Sequence, residues 1–141
     1  MTAVSTTFTP AELFAGDVSE DRRPCTVKHG QVLLANTVVT FDADGKIIAH
    51  NGLLTPTMVQ SGITPFAVTF TPSAGAPAVL INAVDATAAD VDGMIYCDGD
   101  FIGDLLVWPA NVDGVAATNL TKQKIFAGTD LFATFYSAGA L

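Results

Sequence analysis

Aspartate is the residue type best placed to do chemistry in this chain. It supplies twelve of the fourteen acidic side chains, and Asp85, Asp90, Asp92, Asp98, Asp100 and Asp104 fall within a span of twenty positions. Two carboxylates brought together could serve as a general acid and base, as hydrolases use them. The local sequence favours another role. Asp42, Asp44, Asp92, Asp98 and Asp113 each lie one to three residues from a glycine. Aspartate in that setting is turn chemistry, because its short carboxylate bonds nearby backbone amides and it tolerates tight turns. Asp42-Ala43-Asp44-Gly45 opens like a calcium loop of the EF-hand type. Its glycine comes two residues early, however, and no bidentate glutamate closes the loop.

The remaining reactive side chains assemble into no motif. His29 and His50 lack metal-ligand spacing. The serines, Ser5, Ser19, Ser61, Ser73 and Ser137, stand in polar or loop-like contexts, outside any G-x-S-x-G elbow. No glycine-rich phosphate loop opens a helix. Cys25 and Cys97 allow one bridge at most and sit in no C-x-x-C. With no apolar stretch of signal-peptide type before Arg22, the expectation is two reduced thiols in a cytosolic product. No catalytic residue, cofactor or metal is expected.

What must position any site is a chain of 141 residues, the size of one domain, and we find no internal repeat in it. Hydrophobic residues make up 50% and charged ones 14%, for a net charge of −8. Such a chain fills a core and is not disordered by composition, but it has little charge to cover a monomer's surface, where about 25% is usual. Part of that surface is expected to be covered by something else. Only six scattered cations, Arg22, Arg23, Lys28, Lys46, Lys122 and Lys124, argue against nucleic-acid binding, which needs clustered positive charge. Residues 47–84 carry no Asp, Glu, Lys or Arg, yet Pro56, Pro65, Pro72 and Pro77 deny them a membrane-spanning helix.

The pattern along the chain is of turns and short strands. Strand signals occupy Cys25–His29, Gln31–Phe41, Lys46–His50, Thr64–Thr71, Ala78–Val84 and Gly93–Cys97, with an apolar stretch at Phe101–Trp108 and a last strand at Leu131–Tyr136. Asp42–Gly45 joins two of these as the clearest hairpin, Gly45 supplying a positive φ. One helix is expected over Leu120–Phe126, capped by Thr118 or Asn119, with Gly128 just past its end and Lys122 and Lys124 complementing its dipole. The fold class is therefore mainly β: a small barrel or sandwich-like domain over 25–141, one short C-terminal helix, and an irregular N-terminal arm over 1–24. In the arm, Phe8, Pro10, Leu13 and Phe14 are apolar residues without a strand or helix pattern, expected to dock on a partner. Trp108, Pro109, Phe126 and Gly128 read as core packing.

The C-terminal half resembles the head decoration proteins of lambda-type tailed phages. The resemblance rests on Phe101–Trp108-Pro109, a short helix with paired lysines, and Phe126-Ala127-Gly128-Thr129 leading into a final strand. Phe41–Gly52 resembles the family's early hairpin and Ala78–Phe101 its central strands, so that about 25–136 is covered. Leu13-Phe14-Ala15-Gly16 and His29-Gly30-Gln31-Val32-Leu33 look like the opening of longer members. Residues 53–77 depart from the short members as a Pro- and Thr-rich insertion, and Asn36-Thr37 replaces a frequent glycine.

The resemblance implies a homotrimer on the outer surface of the virion capsid, made in the host cytoplasm. Its partners would be the major capsid protein and its own copies, with no nucleic acid and no membrane. It also implies that the N-terminal arm adds backbone contacts to capsid strands, and that Trp108, Pro109, Phe126 and Gly128 belong to the trimer scaffold. Such a protein is structural and not an enzyme. Three other readings are open: a different β-structured virion component such as a tail tube or fibre base, a small carbohydrate-binding β domain, and an enzyme with an aspartate pair. The carbohydrate module would need presented aromatic platforms, and Trp108 reads as buried.

Overall fold

The computed structural model describes residues 13–60 and 68–137. In chain order the strands are β1 (Arg22–Val27), β2 (Val32–Leu33), β3 (Val38–Phe41), β4 (Ile47–Ala49), β5 (Thr57–Gln60), β6 (Val68–Thr71), β7 (Pro77–Leu80), β8 (Val84–Asp85), β9 (Val91–Tyr96) and β10 (Gly99–Ile102). A 3-10 turn at Gly103–Leu105 leads to β11 (Asn111–Val112), β12 (Val115–Ala116), helix α1 (Asn119–Ile125) and β13 (Leu131–Thr134). The protein is mainly β with a single α-helix among the described residues, as its sequence pattern predicts.

Five strands close into a small barrel in the order β1-β4-β3-β7-β9. All neighbours are antiparallel except β1 and β4, which meet in parallel at the single pair Val27–Ile47. Side chains of a strand alternate between its two faces, and on β3, β7 and the end of β9 both faces are buried. Val39, Ile47, Ala78, Leu80 and Ile95 pack together in one core with Val27 and Leu33. Their immediate neighbours Val38, Val79 and Tyr96 point the other way, into a second core with Phe14, Phe101, Leu106, Ile125, Phe126 and Leu131. The C-terminal third of the chain therefore lies over the outside of β3, β7 and β9. This double burial explains the unbroken apolar runs Val38-Val39 and Ala78-Val79-Leu80, which an alternating, half-exposed strand would not show.

The second layer is organised by β10 and β13, which pair in parallel from Gly99–Leu131 to Ile102–Thr134. Between them in sequence comes α1. Thr118 caps it through a reciprocal box with Thr121, while Lys122 and Lys124 occupy its last turn and Gly128 follows with φ 78°. The hairpin of β3 and β4 forms as expected, with Gly45 at φ 78°.

Two expected strands are each divided in two. Gln31–Phe41 is broken by a turn in which Asn36 adopts φ 65° and the Thr37 hydroxyl donates to Leu34 O. Asparagine tolerates that left-handed conformation, so the break is written in a residue type rather than in hydropathy. Ala78–Val84 divides after Leu80, because β8 leaves the barrel to pair with β2. Within the Pro- and Thr-rich insertion, β5 and β6 form a two-stranded hairpin; part of the expected Thr64–Thr71 strand lies outside the described residues.

Candidate interaction surfaces

Several of the aspartates hold loops to the fold. Asp98 accepts hydrogen bonds from the Ser19 hydroxyl at 2.7 Å and from the amides of Asp21 at 2.9 Å and Glu20 at 3.0 Å. Burial pushes its carboxyl up, and the Ser19 hydroxyl and the two amides outweigh that to hold it below the usual range. Asp113 takes the amides of Leu54 and Thr55, which lower its pKa, and so ties the root of the insertion to the β11–β12 turn. Asp104 receives the Ser137 hydroxyl and the amides of Tyr136 and Ser137; these bonds, the hydroxyl's above all, hold its carboxyl down. Asp90 pairs with Lys46 at 2.7 Å and accepts the His29 amide, both lowering it. Asp42 caps its own hairpin through the amides of Lys46 and Asp44. Each of these side chains is thus ionised and committed to a partner. Among the described residues no three His, Cys, Asp or Glu side chains lie together as a metal would require.

His50 is buried, and its Nδ1 accepts the Gly52 amide at 2.9 Å. Burial lowers its pKa, so it favours the neutral form. Cys25 and Cys97 are both free and half-buried, and burial pushes both thiols up. Cys25 is aligned with Gly93 on β9, while the Cys97 amide bonds Asp21 O. At ~3.3 Å per residue along a strand, that register separates the two Cα atoms by far more than the ~7 Å a disulfide permits.

The structure redraws the expected arm. Leu13 and Phe14 are not free anchors for a partner but part of the chain's own core. The Phe14 ring, 8% exposed, meets Tyr96 edge-on at 5.5 Å and Phe101 at 4.8 Å. Its backbone forms a bridge with Phe101, and Ala15 N donates to Asp100 O at 2.7 Å. The sequence stretch has no internal periodicity because its partners lie more than eighty positions away, on β9 and β10. The expected boundary at 24/25 also falls inside β1. Phe8 and Pro10 lie outside the described residues.

Trp108 is half-buried. Its Nε1 donates to Gly103 O at 2.8 Å, and its ring stacks at a tilt on Phe126 at 5.1 Å and Phe135 at 5.8 Å. Gly103 is needed there: a Cβ would stand 2.6 Å from the Phe135 ring. Phe126 is buried in the same core, Pro109 is half-buried, and Gly128 is exposed beyond the helix.

What sequence reasoning missed is an apolar surface beside this cluster. Phe132 is 60% exposed and Tyr136 70% exposed, with Leu120 on α1 also exposed. Shallow grooves run along α1 and β13, floored by Gln123 and Ala133, whose Nε2 and carbonyl bond at 3.0 Å. On the far side of Phe132 the exposed Val18 lies in a depression lined by Asp17, Glu20, Asp98 and Asp130, so the apolar surface gives way there to an acidic one. The signal was present as alternation in Leu131–Thr134, where Leu131 faces inward and Phe132 outward. An aromatic residue on the outer face of a strand is a cue for a covered surface.

The fold is a β-rich scaffold in which several aspartates tie loops together and apolar side chains stand exposed beside α1 and β13. The family model of the bacteriophage lambda head decoration protein D matches residues 4–125, and the chain belongs to that family. The family is one of structural phage head proteins, which gives the chain a capsid-decoration role in the virion. The matched span includes Trp108-Pro109 and ends with α1, so Phe126-Ala127-Gly128-Thr129 and β13 lie beyond it. No curated protein matches the sequence. No helix among the described residues is long and apolar enough to cross a membrane.

Proposed function

We propose that the chain binds the outer surface of an expanded phage capsid as a homotrimer, contacts the major capsid protein, and stabilises the shell without enzymatic activity. Membership of the decoration family carries this reading. The exposed surface of Leu120, Phe132 and Tyr136 supports the trimeric part, because packing between copies removes such side chains from water. A ligand that binds only the expanded shell stabilises it by mass action, so that each bound copy opposes capsomer separation.

The proposed arm is shortened to the residues preceding Leu13. Phe14 fixes its root, and the sequence Thr2-Ala3-Val4-Ser5-Thr6-Thr7-Phe8-Thr9-Pro10 carries no charge, which suits backbone pairing to a capsid strand with Phe8 as an apolar anchor. Three arms per trimer multiply a weak individual contact. The test is co-sedimentation with expanded capsids together with mass measurement in solution. The full chain should sediment as three copies and bind shells; a chain lacking residues 2–12 should keep its fold and mass and lose shell binding. Equal binding by the shortened chain would remove the arm from the mechanism, and a monomer that ignores capsids would overturn the reading as a whole.

A further inference from the structure

We infer that the turn His50-Asn51-Gly52 is a self-modifying site, at which Asn51 sheds its side-chain amino group as ammonia through a succinimide, with His50 as the general base. Asn51 is the one asparagine in the sequence that a glycine follows; Asn36, Asn82, Asn111 and Asn119 precede Thr, Ala, Val and Leu. The reaction requires the next residue's backbone nitrogen to attack the side-chain carbonyl carbon. Glycine, without a Cβ, hinders that approach least.

Two hydrogen bonds in the turn act on the two reacting groups. The Gly52 amide, whose nitrogen is the nucleophile, donates to Nδ1 of His50 at 2.9 Å. The Leu53 amide donates to Oδ1 of Asn51, also at 2.9 Å, and so folds the side chain back along the backbone. The first bond sets a base on the proton that must leave. The second polarises the carbonyl and meets the negative charge that grows on its oxygen. His50 is buried, and burial keeps its ring in the neutral form; as Nδ1 is the acceptor, the ring's proton sits on Nε2. Asn51 itself is exposed, so ammonia can leave and water can enter. The backbone around it is fixed. His50 N donates to Val38 O at 3.1 Å, Asp113 N donates to Gly52 O at 2.9 Å, and a Cβ on Gly52 would run into Asn111 O. Holding reacting groups in place removes the conformational search that a free chain must make.

The step balances with water as its only co-reactant. Gly52 N bonds Asn51 Cγ while its proton passes to His50 Nδ1. The bond from Cγ to the amino group then breaks, and that group leaves with the proton as ammonia. Water opens the ring at either carbonyl, giving aspartate or isoaspartate. Both products add a negative charge to the loop that Asp113 clasps through the Leu54 and Thr55 amides. Isoaspartate also lengthens the main chain where Gly52 is wedged against Asn111. The modification would therefore loosen the root of the insertion as the protein ages.

Peptide mapping by mass spectrometry of the full-length protein, stored warm at neutral pH, reads the exchange of an amino group for a hydroxyl at residue 51. The folded protein should lose Asn51 several-fold faster than a synthetic peptide of residues 46–56, which has the same local sequence without the fold. The other four asparagines should persist. His50→Asn keeps an acceptor for the Gly52 amide but removes the base. It should slow the loss about tenfold, short of the ~10²–10⁴ that a base supplies in a dedicated enzyme, with circular dichroism showing that the variant is folded. Should that variant fail to fold, the comparison with the peptide decides alone. Loss of Asn51 no faster in the folded protein than in the peptide, or a folded His50→Asn variant that ages at the parent's rate, would overturn the inference.

Discussion

At the scale of single residues, burial decides what the side chains do. Phe14 looks like a loose arm residue in sequence, yet it is wedged between Tyr96 and Phe101. Phe14→Ala should cost about 3–5 kcal/mol, the range for emptying a buried aromatic site; chemical denaturation of the isolated protein would measure it, and a cost under about 1 kcal/mol would refute the placement. His50 makes a pH prediction. Its folded pKa lies below the ordinary 6.5 because the site is buried. The unfolded chain therefore binds the proton more readily, and the contribution to stability is complete above about pH 6.5 and declines as the pH falls through that value. The aspartates held below their ordinary 3.8 act in the same direction but at more acidic pH. Thermal melts from pH 7.5 to 5 should show a decline that His50→Asn flattens, since the amide oxygen keeps an acceptor for Gly52 without titrating. An equal slope in both proteins would assign the effect elsewhere.

At the scale of elements, what was legible in sequence is what local chemistry determines. The β3–β4 hairpin follows from Asp42 and Gly45, and α1 from Thr118, its paired lysines and Gly128. Both can be recognised within about ten residues of chain. Thr118→Ala removes the cap on the Thr121 amide and should lower stability by about 1 kcal/mol, measured by urea titration; restoration by Thr118→Ser would tie the loss to the hydroxyl. Elements defined by distant partners were not legible. β10 and β13 pair in parallel across about thirty positions, and nothing in either strand names the other. The surface around Leu120 and Phe132 was hidden because α1 contributes one and β13 the other, and only the fold sets their grooves side by side over Gln123 and Ala133.

At the scale of the whole molecule, composition foretold an uncovered surface without locating it. The fold resolves the apolar content into two cores and leaves separate exposed regions on the helix–β13 side and on the hairpin. Charge then governs how copies meet. A net charge of −8 on each copy opposes assembly at long range, while apolar burial favours it at contact. Salt acts on the first far more than on the second: the screening length falls from ~30 Å at 0.01 M to ~10 Å at 0.1 M. Self-association should therefore tighten as salt is raised over that interval, and then change little once screening is shorter than the spacing between acidic groups. Assembly through opposed charges would behave in the reverse way, weakening with every addition of salt. Analytical ultracentrifugation at fixed protein concentration and stepped sodium chloride distinguishes the two. Dissociation on raising salt would mean that ion pairs hold the copies together and that the apolar surfaces face something other than the protein's own copies.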